Sequence, residues 1–234
     1  MGCYKNEIQK NKKKKERMSL IIKNGTIINE GKSFTGSILI SGEHISSMYK
    51  EGEILPEADK IIDASGMVVM PGVIDDQVHF REPGSTHKGD ISTESAAAVL
   101  GGVTSYMDMP NNNPPATTID SIESKNRIAS EKSFANYSFY LGATNNNLGE
   151  IINADPHEIC GIKVFMGSST GNMLVDDSDA LNDIFLKSPL LIATHCEYEP
   201  IIRENLASAI EKYSENNIPF AAHPLIRSRE ACIE

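Results

Sequence analysis

The sequence predicts an α/β fold, a small β-layer leading into an incomplete (β/α)8 barrel, and three observations carry the prediction. Residues 18–70 alternate short β-branched runs with Gly-containing turns. From Pro71 onward, apolar strand-like runs alternate with amphipathic helical stretches. The first of those strands, in Pro71-Gly72-Val73-Ile74-Asp75-Asp76-Gln77-Val78-His79-Phe80-Arg81-Glu82-Pro83-Gly84, places polar groups at every second position towards its end.

In the β-layer the strand candidates are Leu20-Ile21-Ile22, Thr26-Ile27-Ile28, Ser37-Ile38-Leu39-Ile40, Ile61-Ile62 and Met67-Val68-Val69. Asn24-Gly25, Glu30-Gly31, Ser41-Gly42 and Ser65-Gly66 punctuate them as turns. Beyond Pro71, strands are expected over 73–79, 103–108, 136–142, 161–166 and 190–195. Helices are expected from Ser92 to Leu100, Asp120 to Ser130, Asp177 to Leu186 and Glu199 to Tyr213, the last with Ile201, Leu206 and Ile210 on one stripe. Alternating β and α units imply a parallel sheet with right-handed crossovers. A complete (β/α)8 barrel takes about 250 residues, so residues 71–234 accommodate about five units, ending in a helix-like segment from Arg227 to Glu234. The expected organisation is a basic tail over 1–17, the β-layer over 18–70 and a barrel cut short over 71–234.

Composition narrows the function classes. With 40% hydrophobic and 23% charged residues, the chain reads as an ordinary globular protein. No apolar stretch approaches the ~20 residues that span a bilayer, so no membrane span is expected. Residues 1–17 hold seven basic and two acidic side chains, and the remainder holds 15 basic against 30 acidic. An acidic body argues against nucleic-acid binding. The tail opens Met1-Gly2-Cys3, but Asn6 stands where a myristoylation signal needs Ser or Thr, and no secretory h-region follows. It reads as a disordered tail or an upstream extension before Met18. Cys3, Cys160, Cys196 and Cys232 have no metal-type spacing, and a reduced cytoplasmic setting is expected.

Barrels of this kind place their active sites at the carboxyl ends of the strands. Period-two alternation puts Asp75, Gln77, His79 and Arg81 on one strand face, with Val78 and Phe80 on the other. His79 offers an imidazole suited to zinc, although a strand-end His alone is more often merely hydrogen-bonded. Arg81 offers a fork for a substrate carboxylate, or an ion pair with Glu82. Asn111, in Met109-Pro110-Asn111-Asn112-Asn113-Pro114-Pro115, follows the second strand, where turn chemistry is the competing role. Lys163 sits between Ile162 and Val164, where a buried ammonium must be paired, modified or carried to the barrel mouth. His195 ends the fifth strand. Gly167 to Asn172 lacks the ending of a P-loop and reads as a βα turn. His44, His87 and His157 fall in polar turns, and His223 is not counted as a ligand.

PGVIDDQVHFREPG, MPNNNPP, GIKVFMGSSTGN, ATHCE and HPLIRSREA together resemble a dihydroorotase of the cyclic amidohydrolase superfamily, from about Met18 to the last residue. The Arg-Glu-Pro-Gly tail of the first motif favours dihydroorotase over allantoinase and hydantoinase relatives. The resemblance implies a metal-dependent hydrolase barrel and a small β-sandwich to which residues 18–70 contribute. It implies reversible hydrolysis of dihydroorotate to carbamoyl aspartate in pyrimidine biosynthesis, with one or two zinc ions. On it, His79, Lys163 (carboxylated in many relatives) and His195 are metal ligands, and Arg81 and Asn111 hold the substrate carboxylate. Gln77 stands where the family usually has a first-strand His. The family's sixth-strand His and catalytic eighth-strand Asp have no counterpart here, so no catalytic residue is assigned and this chain alone is expected to be inactive. The full-length relative could be a homo-oligomer. The alternatives are a metal-poor dihydroorotase-like scaffold and an allantoinase- or hydantoinase-type amidohydrolase.

Overall fold

The structure is a computed structural model that describes residues 18–167 and 173–233. The expected basic tail over 1–17 lies outside the described residues, as do positions 168–172 of the expected turn from Gly167 to Asn172. The chain divides into two compact units between Pro71 and Gly72.

The first unit is one five-stranded sheet. Strands β1 (Ser19–Asn29), β2 (Lys32–Ser41) and β3 (His44–Lys50) form an antiparallel meander, and β4 (Lys60–Asp63) and β5 (Val68–Val69) both pair parallel to β1. Leu20–Ile22 and Thr26–Ile28 therefore belong to a single strand, and Asn24-Gly25 is a bulge within it rather than a turn. Asn24 takes φ 62, a left-handed conformation that a short polar side chain tolerates. A Cβ at Gly25 would lie 2.5 Å from Val69 Cγ2, so glycine is what lets β5 close in. The strand at 44–50 is not among those expected from the sequence. His44 opens β3, whose weak apolar alternation reflects a mostly exposed position bonded to β2 through the main chain. Ile21, Ile27 and Ile38 supply the buried apolar side chains of this sheet.

In the second unit β6 (Val73–Val78), β7 (Val103–Asp108), β8 (Asn136–Gly142), β9 (Ile159–Phe165) and β10 (Ile192–His195) form a parallel sheet in chain order. This is an α/β sheet with the topology of the first five units of a (β/α)8 barrel. The helices are α1 (Ile91–Leu100), α2 (Ile119–Lys132), α3 (Leu148–Ile152), α4 (Ser178–Lys187), α5 (Glu199–Tyr213), α6 (His223–Ile226) and α7 (Arg229–Ile233). Asp90 and Thr118 begin α1 and α2 with capping boxes, and Asp177 accepts from Ala180 N–H at the start of α4. Each cap satisfies donors that a helix leaves open at its first turn. The core runs between sheet and helices, with Phe80, Ile91, Tyr106, Phe139, Leu141, Ile162, Val164 and Ile184 in one cluster.

Three local features differ from expectation. In α5 the buried positions are Ile202 and Ala209, whereas Leu206 and Ile210 are 39% and 36% exposed. At 100° per residue Ile201 and Leu206 stand about 140° apart, so they cannot share a stripe. The helix-like segment expected from Arg227 begins two residues later as α7, with Arg227 and Ser228 separating it from α6. Strand β6 ends at Val78, with a register shift between Asp75 and Val78, and Arg81 adopts φ 67 beyond it. Val78 and Phe80 still face the core, but the alternation does not carry through to Arg81.

Candidate active site

The carboxyl ends of β6 and β7 bring the first pair of predicted residues together. His79 Nδ1 and Asn111 Oδ1 are 2.8 Å apart. An amide oxygen can only accept, so Nδ1 carries a proton, which makes Nε2 the lone-pair nitrogen of the neutral ring. Asn111 is thus not simply a turn residue; it fixes the tautomer of His79.

Arg81 lies on the loop that follows. Glu82, its expected ion partner, is otherwise engaged: it accepts from Ile91 N–H at 3.0 Å, at the start of α1, and pairs with Lys132 at 2.5 Å. Among the described residues Arg81 forms no ion pair, and the residue is half-buried. Gly84, at φ 98, lets this loop touch the Asn113 backbone, where any Cβ would overlap the carbonyl oxygen.

The second pair lies on β9 and β10. Lys163 is 4% exposed, with Nζ 5.1 Å from the centre of the Phe165 ring. Burial lowers its amine from the ordinary lysine value, and the neighbouring Cys196 only partly opposes this. His195 lies 6.2 Å from the same ring, centre to centre. Its Nε2 meets Glu197 Oε2 at 3.2 Å, and Arg227 clasps that carboxylate through Nε and a terminal nitrogen. Burial would raise the Glu197 carboxyl, but the hydrogen bonds from Arg227 and His195 bring it below its ordinary value. A cavity of about 450 Å³ opens beside Cys196 and Glu197, lined also by Met166, Val175, Leu181 and Cys232, but not by His79, Asn111 or Lys163. Cys160, by contrast, is pushed up to about 11 by burial, which makes it an unreactive thiol.

Sequence reasoning missed the group beneath the His79–Asn111 pair. Asp108 and Lys125 are both fully buried and meet at 2.7 Å. Lys125 Nζ also donates to Asn112 Oδ1 at 2.7 Å and Met109 O at 3.3 Å, while Asp108 Oδ1 accepts from Phe80 N–H at 2.9 Å. Burial lowers the Lys125 amine from its ordinary value, and Asp108 opposes that shift. The signal was present in α2, where Ile122, Lys125 and Ala129 follow helical spacing and make one buried stripe that carries a lysine.

As a metal site, these residues are an incomplete cage. Among the described residues no group of three or more His, Cys, Asp or Glu side chains could hold a metal ion. What fits is the chemistry of individual donors: two imidazoles, each with one nitrogen tied to a polar partner, and one desolvated amine. Gln77 is exposed, and its N–H donates to Asp75 Oδ1 at 3.2 Å.

A parallel βα sheet with polar side chains at its carboxyl rim has the site architecture of a (β/α)8-type barrel. The family model described as Dihydro-orotase-like matches residues 66–165. The chain is 31% identical over 195 residues to an allantoinase of Deinococcus radiodurans, covering 80% of this chain and 42% of that protein. It is 39% identical over 135 residues to a dihydroorotase of Lactobacillus johnsonii, covering 58% of this chain and 31% of the other. The L-hydantoinase (dihydropyrimidinase) structure from Arthrobacter aurescens superposes with a TM-score of 0.82 at 26% identity, over 91% of this chain and 47% of that one. The chain thus spans less than half the length of each of these relatives. It belongs to the cyclic amidohydrolase superfamily, corresponding to the N-terminal portion of the family chain.

Proposed function

We propose that the chain supplies the first part of a dihydroorotase-type active site, for hydrolysis of the cyclic amide of dihydroorotate to carbamoyl aspartate. The observation that carries this reading is Arg81. Its guanidinium has no ion partner among the described residues and follows the His79–Asn111 pair on the same rim. A planar cation in that position suits a ring that bears a carboxylate. Asn111 fixes His79 through Oδ1, which leaves its amide nitrogen as a donor for a substrate oxygen.

His79, Lys163 and His195 would hold zinc, with Lys163 carboxylated. When bound, the metal supplies Lewis-acid activation of water. This chain's own residues do the remaining work. Asn111 keeps the Nδ1 proton on His79, Glu197 orients His195, and Arg81 binds and orients the substrate carboxylate.

A second reading has its own support. Similarity to an allantoinase over 80% of the chain and the L-hydantoinase superposition favour a ring without a carboxylate equally well. Gln77 in place of an imidazole favours a third, a metal-poor scaffold. Calorimetric titration of the zinc-loaded chain with dihydroorotate, allantoin and hydantoin separates them. Dihydroorotate should bind tightest, and Arg81→Met should weaken it about tenfold, which is about 1.4 kcal/mol. Equal affinity for the three rings, or no effect of Arg81→Met, sinks the dihydroorotase reading. Failure to take up zinc supports the scaffold.

A further inference from the structure

Three candidate site residues, His79, Arg81 and Asn111, sit on two loops with no regular main-chain ladder of their own. Something else must hold them in register, because an error of about 1 Å in such a site is expensive for binding or catalysis. Their immediate chain neighbours share one anchor. Phe80, next to His79, donates its N–H to Asp108 Oδ1 at 2.9 Å. Asn112, next to Asn111, accepts from Lys125 Nζ at 2.7 Å. The same Asn112 donates through Nδ2 to the carbonyl of Glu82, next to Arg81, at 3.1 Å. Asp108 and Lys125 close the circuit at 2.7 Å.

We propose that the buried Asp108–Lys125 pair is the positioning element of this site. Through Phe80, Asn112 and Glu82 it fixes the backbone beside His79, Asn111 and Arg81, so the three side chains keep one mutual arrangement. Only the charged ammonium supplies three donors, and Asp108, Asn112 and Met109 use all three. Lys125 is sealed by Phe139, whose ring centre lies 4.5 Å from Nζ, so water cannot replace a lost partner. Neither residue reaches the rim, and neither is a catalytic residue.

The proposal rests on His79, Asn111 and Arg81 being the site, but its test does not use ligand. Nitrogen-15 NMR of the full chain at alkaline pH, where imidazole is neutral, reads the His79 tautomer directly. In the native protein Nδ1 should be protonated. Lys125→Met should return His79 to the mixture of tautomers of a free imidazole, with His195 unchanged. Lys132→Met, which breaks the outer Glu82 pair and leaves Asp108–Lys125 intact, should keep the native signal. A folded Lys125→Met chain with the native His79 signal overturns the proposal. If that variant does not fold, amide exchange on the native protein decides. The Phe80 amide should exchange with the slowest core amides, about a hundredfold or more behind those of exposed loops, and loop-like exchange there overturns the proposal. Dihydroorotate titration of the same proteins reports separately on the site reading. An intact His79 response with no binding removes the substrate and leaves the positioning role standing.

Discussion

Glu197 holds His195 Nε2 at 3.2 Å with the same carboxylate that Arg227 clasps. An imidazole on the β10 rim is therefore oriented by a residue that lies between α6 and α7, 30 residues from its partner.

Arg227→Gln should loosen that orientation and change the acid side of the stability curve. Glu197 ionises below its ordinary value of 4.5 in the folded chain. Its contribution is therefore present above that value and is lost as pH falls through the lower, folded value. Without Arg227, His195 alone opposes burial, and the carboxyl shifts upward. Urea unfolding across acidic pH should show a loss of about 2 kcal/mol at neutral pH, shrinking towards zero in acid. An equal loss at every pH contradicts this account.

The Asp108–Lys125 pair should be costly to break and cheaper to replace. Lys125→Leu alone leaves a buried carboxylate without its cation, with an expected loss of about 3–5 kcal/mol. Asp108→Leu with Lys125→Leu removes both charges and should unfold at higher urea than either single variant. A double variant as unstable as the sum of the singles would show that the hydrogen bonds to Phe80 and Asn112, rather than the uncompensated charge, dominate.

Lys163→Met should stabilise the chain while removing a proposed metal ligand. Burial lowers the folded-state value of this amine, so between that value and the ordinary 10.5 the unfolded chain binds more protons. Stability then rises with pH across that window in the native protein, and the rise should vanish in the variant. A gain of about 1 kcal/mol near neutral pH is expected, together with loss of zinc uptake. Unchanged zinc uptake would remove Lys163 from the ligand set.

Gly84→Ala should disturb the Arg81 loop more than the fold. The left-handed backbone costs a residue with a Cβ about 1–2 kcal/mol, and the overlap with the Asn113 carbonyl pushes the two loops apart. Far-ultraviolet circular dichroism should be retained while any affinity that depends on Arg81 falls. Native affinity in this variant would show that the two loops move independently.

The sequence made the repeating parts legible and left the coupled parts hidden. Strands at 103–108 and 136–142 and the helix from Glu199 to Tyr213 have the expected bounds, although α5 buries Ile202 and Ala209 rather than the expected stripe. The short α3 carries too few residues to show a period. Asn24-Gly25 reads as a turn because bulge and turn need the same left-handed backbone; only the partner strands distinguish them. His79, Asn111, Lys163 and His195 were visible one by one as polar groups at strand ends or within a buried strand. The Asp108–Lys125 pair was not, since its partners lie 17 positions apart on different elements and each looks like an ordinary charged residue. Its trace was a lysine on the apolar stripe of α2.

The chain-order pairing of β6 to β10 also bears on synthesis. Each strand pairs with the one made just before it, so the finished sheet has no late segment between earlier neighbours. His79, Asn111, Lys163 and His195 follow the same order, each on a different βα unit. The partners that place the Asn111 loop beside the His79 loop are thus all synthesised before Lys163.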